Sequence, residues 1–233
     1  MITVEAIASG SKGNCYLVSD GKTDILIDAG VSISEIRTAL CFRLNAISGC
    51  LISHNHQDHC KAVRDLITQG VDIYASGGTL DELGITNYRA HPVFMKEFYI
   101  GSWKIKPFDI QHDASEPLGF YMKSMETGES LLYFTDTFYL KYKFPEITYI
   151  MAECNYNKAT MEENIGNGTL HSELAARIVK SHMSLENLLD MLRASDLSKL
   201  RRVYLLHMSN DNCNEAQAKE AVQKLTGVEV TVC

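Results

Sequence analysis

An α/β architecture of two β-sheets, covered on the outside by helices, is what this sequence predicts. Strand-rich halves are each followed by helical patterns, the signature of sheets with helices packed on them. Two alternating runs joined by Asp20-Gly21 mark a hairpin early in the chain. That hairpin argues against the alternative, an ordinary doubly wound parallel sheet. No low-complexity linker or internal repeat interrupts the 233 residues, and prolines number only four, so a single domain spanning 1–233 is expected.

The elements follow in order. Thr3 to Ala8 reads as a strand and Ser9-Gly-Ser-Lys-Gly-Asn14 as a glycine-rich turn that either offers amides to a phosphate or simply connects strands. Cys15 to Ser19 and Thr23 to Asp28 are the hairpin strands. Ser34 to Leu40 is a helix, Ile47 to Ser53 a buried strand, Asp58 to Gln69 a helix ending at Gly70, Val71 to Ala75 a strand and Gly78 to Leu83 a short helix. The middle turns to β, with strands at 93–97, 98–100, 104–110, 118–124, 130–135 and 147–152. Helices are expected at 173–181, 185–194 and 215–225, with strands at 203–206 and 229–232 between and after them.

At 45% hydrophobic and 22% charged residues the composition suits a globular protein with a large core. A net charge of −7 speaks against a broad basic surface for nonspecific duplex binding, while a local phosphate site with metal ions remains compatible. Seven cysteines, without a signal-peptide pattern at Met1-Ile-Thr-Val-Glu5, read as reduced thiols of a cytoplasmic protein, bacterial or in a host cytosol. Cys60 is expected to serve packing. No run approaches the roughly 20 apolar residues of a membrane span.

Leu51-Ile-Ser-His-Asn-His-Gln-Asp-His-Cys60 is the stretch that carries chemistry. His54, His56, Asp58 and His59 are the residue types that bind zinc and its first-row neighbours, set on the loop leaving a buried strand. Extended spacing points His54 and His56 the same way, and Asp58 and His59 turn the corner towards a second ion. Paired ions share a carboxylate and need further ligands. His112, Asp136 and His207 each stand just beyond an expected strand, where sites in open sheets collect.

Together with Asp28 in Ile27-Asp-Ala-Gly30, these residues resemble the motif set of the metallo-β-lactamase-fold hydrolases. Within them the chain is similar to the YycJ/WalJ-type proteins, neighbours of the ribonuclease Z and PhnP phosphodiesterases. Ser9 to Asn14, His112-Asp-Ala-Ser-Glu-Pro-Leu-Gly-Phe120, Phe134-Thr-Asp-Thr137, Ser181-His-Met-Ser184 and Leu206-His-Met-Ser209 carry the likeness across most of the chain. Ala62 stands where the family often has glycine, Ser181-His-Met-Ser184 where it has Gly-His-Leu-Ser, and Tyr156 to Leu170 has no clear counterpart. The resemblance implies a four-layer αββα sandwich, two mixed sheets flanked by helices. It implies His54, His56 and His112 on one divalent ion, Asp58, His59 and His207 on a second, and Asp136 as the bridge. Zinc is the favoured ion, with manganese or iron(II) as alternatives. It further implies a catalytic set of His182, Asp58 and Asp28, with Asp28 orienting ligands rather than binding metal.

The expected reaction is phosphodiester hydrolysis by a hydroxide held between two ions, with a histidine protonating the departing alkoxide. His182 and His171 compete for that role, and the resemblance favours His182; His91 reads as a surface residue. The function expected is nuclease-type, exonuclease-like cleavage of single-stranded DNA. The alternatives are a cyclic or modified nucleotide phosphodiesterase, of the kind phages use against nucleotide signalling, and a non-catalytic metal-binding scaffold. A homodimer is compatible with all three. Tyr156 to Leu170 is expected to shape substrate choice.

Overall fold

Apolar residues in Cys15–Ser19 and Asp24–Ile27 build the hairpin around Asp20-Gly21, with Tyr16 opposite Ile27 and Val18 opposite Ile25. Gly21 takes φ 90° in the turn, a conformation that costs a glycine little. The computed structural model describes residues 1–233, and these two runs are its strands β2 and β3. β1 (Thr3–Ala8) joins β2 antiparallel. β4 (Ile47–Leu51), β5 (Ile73–Ser76) and β6 (Ala90–Val93) then follow β3 in parallel, so the first sheet is mixed, in the order β1-β2-β3-β4-β5-β6. Parallel neighbours need crossover connections. Here α1 (Ile33–Ala39), the short α2 (Gln57–Cys60), α3 (Val63–Thr68) and α4 (Gly77–Glu82) supply them. Leu26, Ile36, Ile52, Leu66 and Ile73 share one buried apolar cluster beneath these helices.

The second sheet has seven strands in the order β13-β12-β11-β10-β9-β8-β7. β7 (Phe98–Ile100), β8 (Trp103–Asp109) and β9 (Leu118–Ser124) form an antiparallel meander. β10 (Ser130–Phe134), β11 (Tyr149–Glu153), β12 (Arg202–Leu206) and β13 (Glu229–Val232) run parallel. Between them come α5 (Lys158–Gly166), α6 (Ser172–Ser181), α7 (Leu185–Arg193) and α8 (Glu215–Thr226). β10 and β11 are buried at every residue, as expected of parallel strands covered on both faces. Two mixed sheets with flanking helices are the architecture expected, and the doubly wound parallel alternative is excluded.

Three local expectations are corrected. The helix expected from Asp58 to Gln69 is broken into α2 and α3. The Asp58 and His59 carbonyls accept instead from the amides of Asn14 and Ala29, both at 2.7 Å, and the Ala62 amide donates to the Ala29 carbonyl at 2.8 Å. Those bonds take the groups that would have continued the helix ladder. The strand expected at 93–97 ends at Val93, and Phe94 and Met95 lie exposed on a turn closed by the Lys96 amide on the Phe94 carbonyl. α5 falls in the stretch left unassigned; Met161 is its one buried residue, so no apolar stripe announced it.

The chain divides into two compact units: Met1–Asp109 with Ala114–Glu129, and Ile110–Asp113 with Ser130–Cys233. Within the first, Asp20 fastens the β2–β3 turn to the meander, accepting from Ser102 Oγ at 2.6 Å and Ser124 Oγ at 2.7 Å. Trp103 Nε1 donates to the Thr23 carbonyl beside it. Within the second, α8 packs on β13 and α7 on α8. No helix is long and apolar enough to cross a membrane.

Candidate metal centre

In the first unit the parallel strands β3 and β4 end side by side, and the residues leaving them are Asp28 and the histidine motif. Asp28 is fully buried, with φ 58°. Its Oδ1 accepts from the Ser53 amide at 2.7 Å and its Oδ2 from Ser53 Oγ at 3.0 Å. His59 Nδ1 lies 2.7 Å from the same Oδ2. Asn14 Nδ2, which can only donate, sits 3.1 Å from His59 Nε2. The proton of the neutral ring is therefore assigned to Nδ1 and the lone pair to Nε2, the tautomer a metal ligand needs. Ser53 Oγ is also 2.9 Å from His54 Nδ1, so one hydroxyl addresses the aspartate and a second ring.

The motif residues are drawn together around these contacts. The rings of His54 and His56 meet edge-on with centroids 4.7 Å apart, and those of His54 and His59 lie 4.2 Å apart. Asp58 Oδ2 is 3.4 Å from His59 Nε2. The loop holds this shape because Gly30 passes directly beneath it: a Cβ there would fall 1.7 Å from the Asp58 carbonyl oxygen. Cys60 is buried, its thiol directed at the Asn55 carbonyl, and burial first and the Asp28 charge second push its pKa up to about 12. It stays a thiol and fills space, as expected.

In the second unit, three parallel strands each deliver one group at their carboxyl ends. Asp136 lies two residues past β10, Glu153 closes β11, and His207 follows β12. Register brings the ends level, Phe134 opposite Ala152 and Glu153 opposite Leu206. Asp136 and His207 both take φ 49°, a left-handed backbone that a non-glycine residue holds only where its surroundings over-determine it. Asn155 Nδ2 donates to the His207 carbonyl at 2.9 Å and helps to hold that turn. His182 caps the end of α6 with Nδ1 2.7 Å from Glu153 Oε1 and 3.1 Å from Asp136 Oδ1. His207 Nδ1 is 2.7 Å from Asp136 Oδ1 and 3.4 Å from Glu153 Oε1. His112 lies with its ring centroid 6.0 Å from that of His182, and the neighbouring Gln111 amide donates to Thr137 Oγ1.

Asp136, Glu153, His182 and His207 thus gather their ligand atoms within 4.8 Å of one another. Burial pulls the His182 pKa down, but the Glu153 and Asp136 carboxylates outweigh it and raise the ring to about 10. His207 is raised to about 9 in the same way, burial opposed by Asp136 and Glu153. Such shifts register a strongly negative field from two buried acids, the field that also receives a divalent cation. Oxygen and imidazole donors at this spacing fit a zinc, manganese or iron(II) ion.

The residues proposed as ligands or catalytic groups divide between the two units. Asp28, His54, His56, Asp58 and His59 assemble in the first unit, and His112, Asp136, His182 and His207 in the second. The rival acid His171 stands exposed at the start of α6, about 16–17 Å along the helix from His182. His91 is partly exposed and stacks on Tyr74 with centroids 4.9 Å apart, consistent with a surface role. In the turn of Ser9 to Asn14, the Gly13 amide bonds the Gly10 carbonyl and the Gly10 amide bonds Asn14 Oδ1, which favours the plain connection over a phosphate cradle.

Glu153 is the group the sequence reading missed. The rule that found His112, Asp136 and His207, a potential ligand just beyond a strand, applies equally to a glutamate after Ile147 to Ala152. Ser53 and Asn14 were also passed over; as neutral residues beside the ligands they carry no signal in a search for donors.

A model of the Beta-lactamase superfamily domain matches residues 23–208. The exodeoxyribonuclease WalJ of Streptococcus pneumoniae is 28% identical over 225 residues, covering 88% of this chain and 81% of the relative. The exodeoxyribonuclease YycJ of Bacillus anthracis is 25% identical over 238 residues, covering 94% and 87%. Among solved structures, the metallo-β-lactamase fold protein YhfI from Bacillus subtilis superposes with a TM-score of 0.77 at 14% identity, covering 100% of this chain and 97% of the other. That likeness is one of fold, the αββα sandwich of two mixed sheets flanked by helices.

Proposed function

The chain belongs to the β-lactamase superfamily, and from that membership we propose that it is a metal-dependent phosphodiester hydrolase of nuclease type, acting on single-stranded DNA from an end. The observation that carries the reading is the gathering of Asp136, Glu153 and His207 at three parallel strand ends, with His182 at the end of α6 against the two acids. The names of the two bacterial relatives, both exodeoxyribonucleases, support the substrate.

In the proposed centre His54, His56 and His112 would hold one ion and Asp58, His59 and His207 a second, with Asp136 available to both. Zinc is the favoured ion on its histidine count, with manganese or iron(II) as alternatives. Bound divalent ions would supply charge to the nonbridging phosphate oxygens and acidify the attacking water. The chain's own residues prepare the rest. Asp28 keeps the proton of His59 on Nδ1, leaving Nε2 as donor. Glu153 takes the hydrogen bond of His182 Nδ1, and the other ring nitrogen is then free to protonate the departing alkoxide. Asp58 joins the catalytic set as a ligand beside His59. A single domain spanning residues 1–233 belongs to the same proposal. Seven free cysteines, five of them buried, support a reducing, cytoplasmic setting. A homodimer belongs to the same proposal on the family resemblance alone.

Hydrolysis of bis-p-nitrophenyl phosphate and of single-stranded DNA by the purified protein tests this reading. Asp136→Asn is expected to lower both activities by about 10²-fold or more, the scale of removing one group that stabilises developing charge. Cleavage of cyclic nucleotides with no action on DNA would refute the nuclease assignment while keeping the hydrolase.

A further inference from the structure

Past Asp136 the chain runs Thr-Phe-Tyr-Leu-Lys-Tyr-Lys-Phe144, four aromatic residues and two lysines in the seven positions from Phe138. This segment lies in the second unit and is anchored directly beside the acid cluster. The Thr137 amide donates to Glu153 Oε2, Thr137 Oγ1 donates to the Tyr139 carbonyl at 3.0 Å, and Asn187 Nδ2 of α7 donates to the Phe138 carbonyl at 3.0 Å. Leu140 is buried and pins its middle. Aromatic residues placed for core packing would be buried, yet Tyr139 is 56% exposed and Tyr142 37% exposed. Lys141 Nζ stands 5.1 Å over the Tyr142 ring, and the Tyr142 and Phe144 rings lie 6.3 Å apart. Segment and α7 together line a cavity of about 370 Å³, within the range of small-molecule sites. Asp190 is the one acid of its lining and is paired with Arg193 Nη1 at 2.7 Å, while Lys141 and Lys143 are the basic residues of the same lining.

We propose that the segment from Phe138 to Phe144, with the facing side of α7, binds single-stranded DNA next to the scissile phosphate, Tyr139 and Tyr142 stacking on bases and Lys141 and Lys143 meeting the backbone. Exposed aromatic rings interleaved with cations are the chemistry by which proteins hold single strands without reading sequence. A local basic strip is also what a chain of net charge −7 requires to meet a polyanion. The assignment of DNA rests on the function proposed above; the surface itself rests on the residues.

The test uses the metal-loaded protein and a fluorescein-labelled, phosphorothioate single-stranded oligodeoxynucleotide, followed by anisotropy across a salt series. Tyr139→Ala with Tyr142→Ala is expected to weaken binding tenfold or more, the loss carried by a single stacked base or greater. The ratio of DNA cleavage to bis-p-nitrophenyl phosphate cleavage should fall with it. Lys141→Gln with Lys143→Gln should reduce the slope of log affinity against log salt by about 1.4, roughly 0.7 for each single-strand phosphate left without its lysine. Unchanged binding in both variants, an equal fall in both hydrolytic activities, or tighter binding of the matched RNA would overturn the proposal. So would a dimer that dissociates on the tyrosine substitutions, which would assign the face to a second copy. If the wild-type protein leaves the small ester intact but binds the oligonucleotide through Tyr139 and Tyr142, the surface stands and the hydrolase reading falls.

Discussion

The buried Glu153 and the partly exposed His182 form a carboxylate–imidazole pair at 2.7 Å, and Glu153 also accepts from the Met183 and Thr137 amides. The glutamate therefore fixes its histidine from both flanks. Replacing His182 with alanine is expected to lower turnover by about 10²–10⁴-fold, the usual share of a proton donor, with metal content unchanged by mass spectrometry. Glu153→Gln should give a smaller loss with the same metal content, since it keeps the shape and removes the charge that holds the ring. A near-wild-type rate for His182→Ala, with His171→Ala inactive, would transfer the role to His171. The histidines and Asp136 were legible because their residue types are rare and sit at strand ends. Glu153 obeyed the same rule and was absorbed into its strand. The left-handed backbone of Asp28, Asp136 and His207 was not legible, since nothing local in those residues demands φ near +50°; their contacts impose it.

At the scale of elements, the loop after β4 depends on a layer beneath it. Gly30 admits the Asp58 carbonyl where any side chain would collide, and the Asn14 and Ala29 amides hold that loop from below. Gly30→Ala is expected to cost about 1–3 kcal/mol, as overpacking does, and to reduce metal content; thermal melts with metal analysis check both. Asp20 does comparable work at the β2–β3 turn, where it accepts from Ser102, Ser124 and the amides of Thr23 and Lys22. Burial raises its pKa, but these hydrogen bonds outweigh it and hold the carboxyl below its usual value of 3.8. A depressed folded pKa stabilises above the unfolded pKa, and the contribution disappears as pH falls through the folded value. Asp20→Asn should therefore cost about 1–3 kcal/mol near pH 7, by leaving donors poorly matched, with the gap to wild type narrowing below about pH 4. Urea melts at pH 7 and pH 3 measure it. Most elements were readable from periodicity, the Asp-Gly hairpin above all. The break between α2 and α3 was not, because it comes from backbone bonds to Asn14 and Ala29, 30 or more residues away in sequence.

For the molecule as a whole, the proposal is that divalent ions bound by these histidines and carboxylates perform hydrolysis. The first unit presents His54, His56, Asp58 and His59, oriented by Asp28 and Ser53. The second presents His112, Asp136 and His207, with Glu153 and His182 beside them. The family was legible from the spacing of the first group alone. Substrate choice was not, since it depends on surfaces such as the aromatic and basic segment after Asp136, whose residues acquire meaning only once their exposure is known. The most direct test is the metal content of the purified protein, by inductively coupled plasma mass spectrometry, for wild type and His56→Ala, paired with bis-p-nitrophenyl phosphate hydrolysis. About two divalent ions per chain are expected for the wild type, with a loss of roughly one in His56→Ala and a fall in hydrolysis of about 10²-fold or more. Fewer than about one ion in the wild type, with hydrolysis indifferent to His56→Ala, would contradict metal-dependent hydrolysis at these residues.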